Sequence, residues 1–219
     1  MTIHSNPLAN SYRVALVRPS TGQVLAVCGR SAFRLPRLAI PRWTRAAREI
    51  QEAIERTWPF EVVVTDFLEQ TGEIEDLVVL ELRRGNATPK PAGSFQWTSI
   101  DEIAGQELSD LESQMLRQLI ASGSTGRGPF SCFGWTDKVI EWAAERLCSP
   151  PAEFNSSVQQ FNSGPAAVLV RLRSAEGDFY WFKASTSAEF HVTQALAKMA
   201  PGYLPKVLGT IHSLHAWLS

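Results

Sequence analysis

Residues 42–58 read Arg42-Trp43-Thr44-Arg45-Ala46-Ala47-Arg48-Glu49-Ile50-Gln51-Glu52-Ala53-Ile54-Glu55-Arg56-Thr57-Trp58, and Pro59 follows. Trp43, Ala46, Ala47, Ile50, Ala53 and Ile54 recur at helical spacing, which predicts an amphipathic helix that Pro59 terminates. Upstream, Tyr12 to Val17 and Gln23 to Val27 flank Pro19-Ser20-Thr21-Gly22 and read as a hairpin. Phe33 to Pro36 and Leu38 to Pro41 are short extended pieces broken by prolines. Downstream, strands are expected at Glu61 to Leu68 and Asp76 to Leu82, joined by the turn Gln70-Thr71-Gly72-Glu73. Ser94 to Trp97 then leads into a helix over Ser109 to Ile120. Strands with one early and one late helix predict an α+β fold, a mixed sheet sandwiched by helices, without the regular alternation of a doubly wound fold.

Ala121-Ser122-Gly123-Ser124-Thr125-Gly126-Arg127-Gly128-Pro129 interrupts the apolar periodicity on both sides. It follows a helix instead of a strand, so its G-x-x-G-x-G spelling reads as a linker and not as a phosphate loop. The expected organisation is a domain over 1–122, a Gly/Ser-rich linker over 123–135, and a second, smaller α+β domain over 136–219. In the latter, Thr136 to Leu147 is helical with Thr136 as N-cap. Phe154 to Phe161, Ala167 to Arg173 and the aromatic run Phe179-Tyr180-Trp181-Phe182-Lys183 are extended. A helix over Ser187 to Ala200 and extended pieces at Leu204 to Leu208 and His215 to Leu218 complete it.

Composition bounds the function. Of 219 residues, 44% are hydrophobic and 20% charged, which implies a packed core. Lys and Arg total 21 against 22 Asp and Glu, so the basic footprint of a nucleic-acid binder is missing and no nucleic-acid partner is expected. No run approaches the ~20 apolar residues of a membrane span. Cys28, Cys132 and Cys148 have no zinc spacing and read as free thiols, and Met1 to Pro7 lacks the basic and apolar parts of a secretory signal, so a cytoplasmic location is expected. The seven Trp are assigned to core and interface packing.

Two constellations carry chemistry. Glu49 and Glu52, three apart on one helix, project on neighbouring sides of one face and could share a hard divalent cation such as Mg²⁺. A cation there would polarise a diphosphate and activate water. The same residues also read as a solvated face, with Arg45 four before Glu49 and Arg56 four after Glu52. The second constellation is Lys183 at the end of the aromatic strand with Glu189 on the next helix, where an ion pair could aim the lysine at the α- and β-phosphates of ATP. Alternatively Lys183 snorkels over its aromatic neighbours, and Glu189 completes the capping box Thr186-Ser187-Ala188-Glu189.

Over residues 12–120 the element order, the segment Arg48-Glu49-Ile50-Gln51-Glu52 and the ending Trp97-Thr98-Ser99-Ile100-Asp101-Glu102-Ile103 resemble the Nudix family. Its box is G-x5-E-x7-R-E-U-x-E-E-x-G-U, with U a bulky aliphatic. The resemblance implies Mg²⁺ on Glu49 and Glu52, both catalytic, with Arg48 orienting them, and a nucleotide-type small molecule as substrate. Ala53 stands at the second glutamate of the pair, Glu55 at the following glycine, and Arg34 and Ile40 at the leading glycine and glutamate. The expectation is a degenerate, non-catalytic or weakly active Nudix-like domain with a regulatory or nucleotide- or ligand-binding role. The alternative is an active pyrophosphohydrolase of nucleoside diphosphate derivatives that recruits Glu102 or Glu107.

Residues 136–219 resemble the N-terminal lobe of aminoglycoside-phosphotransferase-type kinases, through Val158 to Asn162, Val168 to Leu172, Tyr180 to Ala184, Glu189-Phe190 with Leu196-Ala197, and Tyr203 to Leu208. The resemblance implies that Lys183 and Glu189 bind a nucleotide cofactor, ATP, and that Asn162-Ser163-Gly164 covers its phosphates. After Glu189 the chain has no Asp or Glu, so the sequence given is not a complete kinase and is expected to be a natural fragment or a piece of a longer polypeptide. Apolar surface near Trp181, Leu214 and Trp217 predicts a homo-oligomer or packing between the domains. His212-Ser213-Leu214-His215 reads as a polar turn.

Overall fold

The computed structural model describes residues 9–29, 32–42, 44–58, 60–68, 75–83, 94–103, 105–154 and 158–219. Strands β1 (Ala9–Arg18) and β2 (Gln23–Cys28) form the expected hairpin, with Val17 opposite Val24. Gly22 closes it at φ +65°, a conformation other residues rarely adopt, and a Cβ there would stand 2.7 Å from Ile120. The chain continues through β3 (Phe33–Arg34), β4 (Arg37–Pro41), α1 (Ala46–Thr57), β5 (Val62–Leu68), β6 (Asp76–Leu82), β7 (Phe95–Thr98) and α2 (Asp110–Ser122). The expected turn at Gln70 to Glu73, and Trp43 and Pro59, lie outside the described residues.

The first sheet runs β3-β2-β1-β6-β5, with β4 beside the first half of β1 and β7 beside β2. It is mixed, since β1 and β6 are parallel while the other pairs are antiparallel. Alternation along the strands sends Val14, Leu16, Val64, Val78 and Leu80 to α1, which answers with Ala47, Ile50 and Ile54. Ala15, Val17 and Val79 face the other way, toward Leu116 and Leu119 of α2. The fold is therefore α+β, with a mixed sheet between two helices. Arg13 of β1 and Glu112 of α2 are both buried and form a two-pronged ion pair at 2.6 and 3.1 Å.

The second half comprises α3 (Trp135–Leu147), β8 (Gln159–Asn162), β9 (Val168–Arg173), β10 (Phe179–Ala184), α4 (Ser187–Met199), β11 (Gly209–Ile211) and β12 (Ala216–Leu218). These strands form an antiparallel sheet ordered β8-β9-β10-β12-β11. Its Val168, Val170, Leu172 and Phe182 pack against Val139, Ile140 and Ala143 of α3. Thr136 is not the N-cap of α3: Gly134 holds that position at φ +70°, and Thr136 is buried inside the first turn. A carboxylate from the other sheet serves the helix end instead, since the Gly134 amide donates to Glu81 of β6 at 2.9 Å.

The segment expected as a flexible spacer is packed. Gly123 ends α2 at φ +76°, and Thr125, Phe130 and Ser131 are buried. Phe130 meets the rings of Trp135 and Phe182 at 5.4 and 6.3 Å, and Arg127 pairs with the buried Asp66 at 2.9 Å. One large apolar residue and one arginine fix what the small residues around them left free.

The two sheets are joined by amide side chains. Strand β5 lies at the edge of the first sheet, where its outward peptide groups need partners. Gln160 of β8 supplies them as a substitute strand: its Oε1 accepts from the Val64 amide at 2.6 Å and its Nε2 donates to the Val64 carbonyl at 2.9 Å. Ser163 Oγ donates to the same carbonyl at 2.9 Å. From α1, the buried Gln51 donates to the carbonyls of Val62 and Val158 and accepts from the Gln160 amide. No helix among the described residues is long and apolar enough to cross a membrane.

Candidate functional site

Helix α1 carries both glutamates of the expected cation pair. Its Glu52 accepts from Arg48 Nε at 2.7 Å, so Arg48 does hold one of the two glutamates, and Glu52 keeps the guanidinium pKa above its ordinary value. Arg56 donates to the backbone carbonyl of Glu52 and not to its carboxylate, and Arg45 points over the ring of Phe161, 6.0 Å from its centroid. The salt-bridged face thus forms through Arg48–Glu52 and not through the expected Glu52–Arg56 pair.

The substitute carboxylates are committed elsewhere. Glu102 accepts from Thr98 and caps its own turn, while the buried Glu107 lies 3.3 Å from Arg37. Ile40, at the position of the box's leading glutamate, is buried beside α1. Among the described residues no three Asp, Glu, His or Cys side chains converge on one point. Among the described residues, Glu49 and Glu52 gain no third carboxylate that would share a Mg²⁺ with them.

Glu55 on the same helix has its pKa raised, first by burial and then by Glu61 and Glu52. It lines a polar hollow with Gln51, Glu61, Arg83, Arg171 and Arg173, at the seam between the sheets.

The second constellation does come together. Lys183 on β10 donates from Nζ to Glu189 Oε1 on α4. The lysine cation lies 5.3 Å from the centroid of the Trp217 ring, on the strand that pairs with its own. Glu189 is held below its usual carboxylate pKa, chiefly by the bond from Lys183 and then by Ser185. The capping box is half formed. Thr186 Oγ1 accepts from the Glu189 amide at 3.3 Å, but the Glu189 carboxylate turns to Lys183 and does not return to the Thr186 amide. Both side chains are about a third to a half exposed, at 35% and 46%, so the pair is open to an incoming anion.

The sheet face that carries Lys183 also carries Trp181, two residues before it, and Arg171, opposite Trp181 in the ladder. Arg171 is stacked among rings, 4.5 Å from the centroid of Phe179 and 5.5 Å from that of Phe161. The loop expected over phosphates, Asn162 to Gly164, is tied down through Ser163 to Val64.

Sequence reasoning missed Gln51, Gln160, Asp66 and Arg127. Gln51 carried a signal, because it is a polar residue on the same helical stripe as Ala47, Ile50 and Ile54. Asp66 carried one too, as the sole charge inside an apolar strand. For Gln160 and Arg127 nothing local distinguishes them from surface residues.

The chain is matched by no family model and by no curated protein. A solved structure of a UDP-X diphosphatase is similar to it, with 17% identity and a TM-score of 0.36 over 56% of this chain. The match spans 66% of that protein's own length, a little under two thirds.

Proposed function

We propose that this chain is a nucleotide-phosphate-binding module: a Nudix-like half without the hydrolytic constellation, packed against a half that resembles a phosphotransferase N-lobe. The observation that carries this reading is the Lys183–Glu189 pair. In kinase-type phosphate grips a lysine on the third strand is held by a glutamate on the following helix. Here Lys183 lies on the third strand of the second sheet, and Glu189 on the helix that follows.

Bound ATP would supply the anionic phosphates that this cation meets. Lys183 offers its ammonium protons to phosphate oxygens, and Glu189 fixes the direction of the long side chain. Trp217 beneath it limits hydration of the cation on one side. Phosphoryl transfer needs acidic groups for magnesium and for the acceptor hydroxyl, and after Glu189 this chain supplies none. The proposal therefore concerns phosphate binding by the residues given. On the Nudix-like side, Glu52 engaged by Arg48, Ala53 and Ile40 together support the absence of hydrolysis.

Calorimetric titration with ATP and ADP tests the reading. Lys183→Met is expected to weaken binding at least about tenfold, the worth of one charge-assisted hydrogen bond to phosphate. Glu189→Gln should weaken it less, because the lysine remains but loses its anchor. A panel of nucleoside diphosphate derivatives with Mg²⁺ should release neither phosphate nor nucleoside monophosphate. Unchanged affinity in Lys183→Met, or turnover that disappears in Glu52→Gln, overturns the reading.

A further inference from the structure

We propose that the cleft between the two halves is a separate binding site for a small aromatic molecule carrying one anionic group. The cleft has a volume of about 770 Å³, within the range of pockets that enclose small ligands. None of Glu49, Glu52, Lys183 and Glu189 lines it, although the loop Asn162 to Gly164, expected over the phosphates of the second constellation, does.

Three parts of the chain supply the walls that meet a ring, while the carboxylates of Asp76 and Glu112 also line the cleft, the latter paired with Arg13. Tyr12 and Phe67, from β1 and β5, form an aromatic wall with rings edge to face at 6.0 Å. Leu111 and Met115 of α2 line it as well. Leu111 is 63% exposed, a large apolar side chain left in water at the mouth of a cleft. The third part is the loop Asn162 to Pro165. Such a slot takes a flat ring through stacking and apolar contact.

The anion follows from Arg127. Its Nη1 is committed, donating to Asp66 at 2.9 Å and to the Phe67 carbonyl at 2.8 Å. Those two bonds fix the guanidinium plane at the cleft wall, while its Nε and Nη2 take no part in them. A fixed guanidinium fork with an open edge suits a phosphate monoester or a carboxylate, which share this chemistry. Asn162, exposed at the same wall, adds an amide donor. Because Ser163 in this loop is bonded to Val64, an occupant would touch the segment that links the cleft to the second sheet.

The test uses the full chain and four probes in calorimetric titrations: adenosine 5′-monophosphate, adenosine, inorganic phosphate and 4-hydroxybenzoate. Adenosine monophosphate or hydroxybenzoate is expected to bind at least tenfold tighter than adenosine or phosphate alone, and whichever binds tighter identifies the anion source. Arg127→Lys keeps a cation beside Asp66 but removes the fork, and should weaken binding about tenfold. Leu111→Glu, at a position 63% exposed, should do the same by placing a charge at the mouth. Binding should persist in Lys183→Met. Loss of binding in Lys183→Met with retention in Leu111→Glu overturns the cleft and leaves the phosphate grip standing. Equal affinity for ring and ring-anion probes, or two variants that bind like the parent chain, also overturns it.

Discussion

Replacing Gln160 by Met tests whether the two halves are held by the edge of β5. Methionine matches glutamine in length and fills the same space, so the cavity contribution is small. What is lost is specific: the Val64 amide, on a fully buried residue, loses its acceptor at 2.6 Å. The Val64 carbonyl loses the Gln160 donor but keeps Ser163 at 2.9 Å. One orphaned buried donor costs about 1–3 kcal/mol. For a chain of this size each kcal/mol shifts the melting temperature by about 2–4 °C, which gives a fall of about 2–12 °C. Ser163→Ala alone should cost less, about 0.5–1.5 kcal/mol, because the carbonyl then keeps Gln160. In the double variant the carbonyl loses both donors, so the two effects should exceed their sum by about 0.5 kcal/mol or more. Urea unfolding followed by tryptophan fluorescence measures all four corners. A Gln160→Met chain within about 0.5 kcal/mol of the parent, or strict additivity, would refute the view that this side chain acts as a substitute strand.

Two further perturbations read the buried charges. Burial raises the Asp66 pKa, against the lowering by Arg127, so folding favours its protonated form. Its contribution to stability is then greatest below the unfolded-state pKa and declines as pH rises through the folded value. Asp66→Asn should flatten this decline in urea midpoints taken between about pH 4 and 7. Glu112→Gln leaves the buried Arg13 without its countercharge and should cost about 3–5 kcal/mol, seen as a lower unfolding midpoint.

The elements were legible where local patterns suffice. The β1–β2 hairpin, α1 and the aromatic strand β10 follow from turn residues, 3.6-residue periodicity and β-branched or aromatic runs, and they fell within a few residues of expectation. The pairing of Lys183 with Glu189 was legible because its two residues are close in sequence. What was not legible depends on contacts between distant segments. Thr136 looks like a cap by composition, but Gly134 reaches Glu81 from more than fifty residues away. Small residues over 123–135 read as flexible, and composition does not show that Phe130 enters the core. Glu189 satisfied the spelling of a capping box, yet a lysine six residues before it, on β10, competes better for its carboxylate than a backbone amide does.

The same competition bears on completing the glutamate pair of α1 by one change. Ala53→Glu would complete the pair of glutamates in sequence, placing Glu49, Glu52 and the new carboxylate within one helical turn. Two obstacles remain. Glu52 is already bonded to Arg48, whose charge favours its present orientation. Position 40 supplies no fourth oxygen donor, because Ile40 is packed against the helix core at 3% exposure. A hard divalent cation takes about six oxygen donors in fixed geometry, and a third glutamate on one helix does not provide them from opposing sides. The substitution also sets like charges four residues apart with Glu49, costing about 0.2–0.5 kcal/mol, partly offset by Arg56 three residues on. The expected outcome is a folded chain with no Mg²⁺-dependent release of phosphate or nucleoside monophosphate from nucleoside diphosphate derivatives. Turnover in Ala53→Glu, abolished when Glu52 is also changed to Gln, would show that the helix holds a catalytic geometry lacking only one carboxylate.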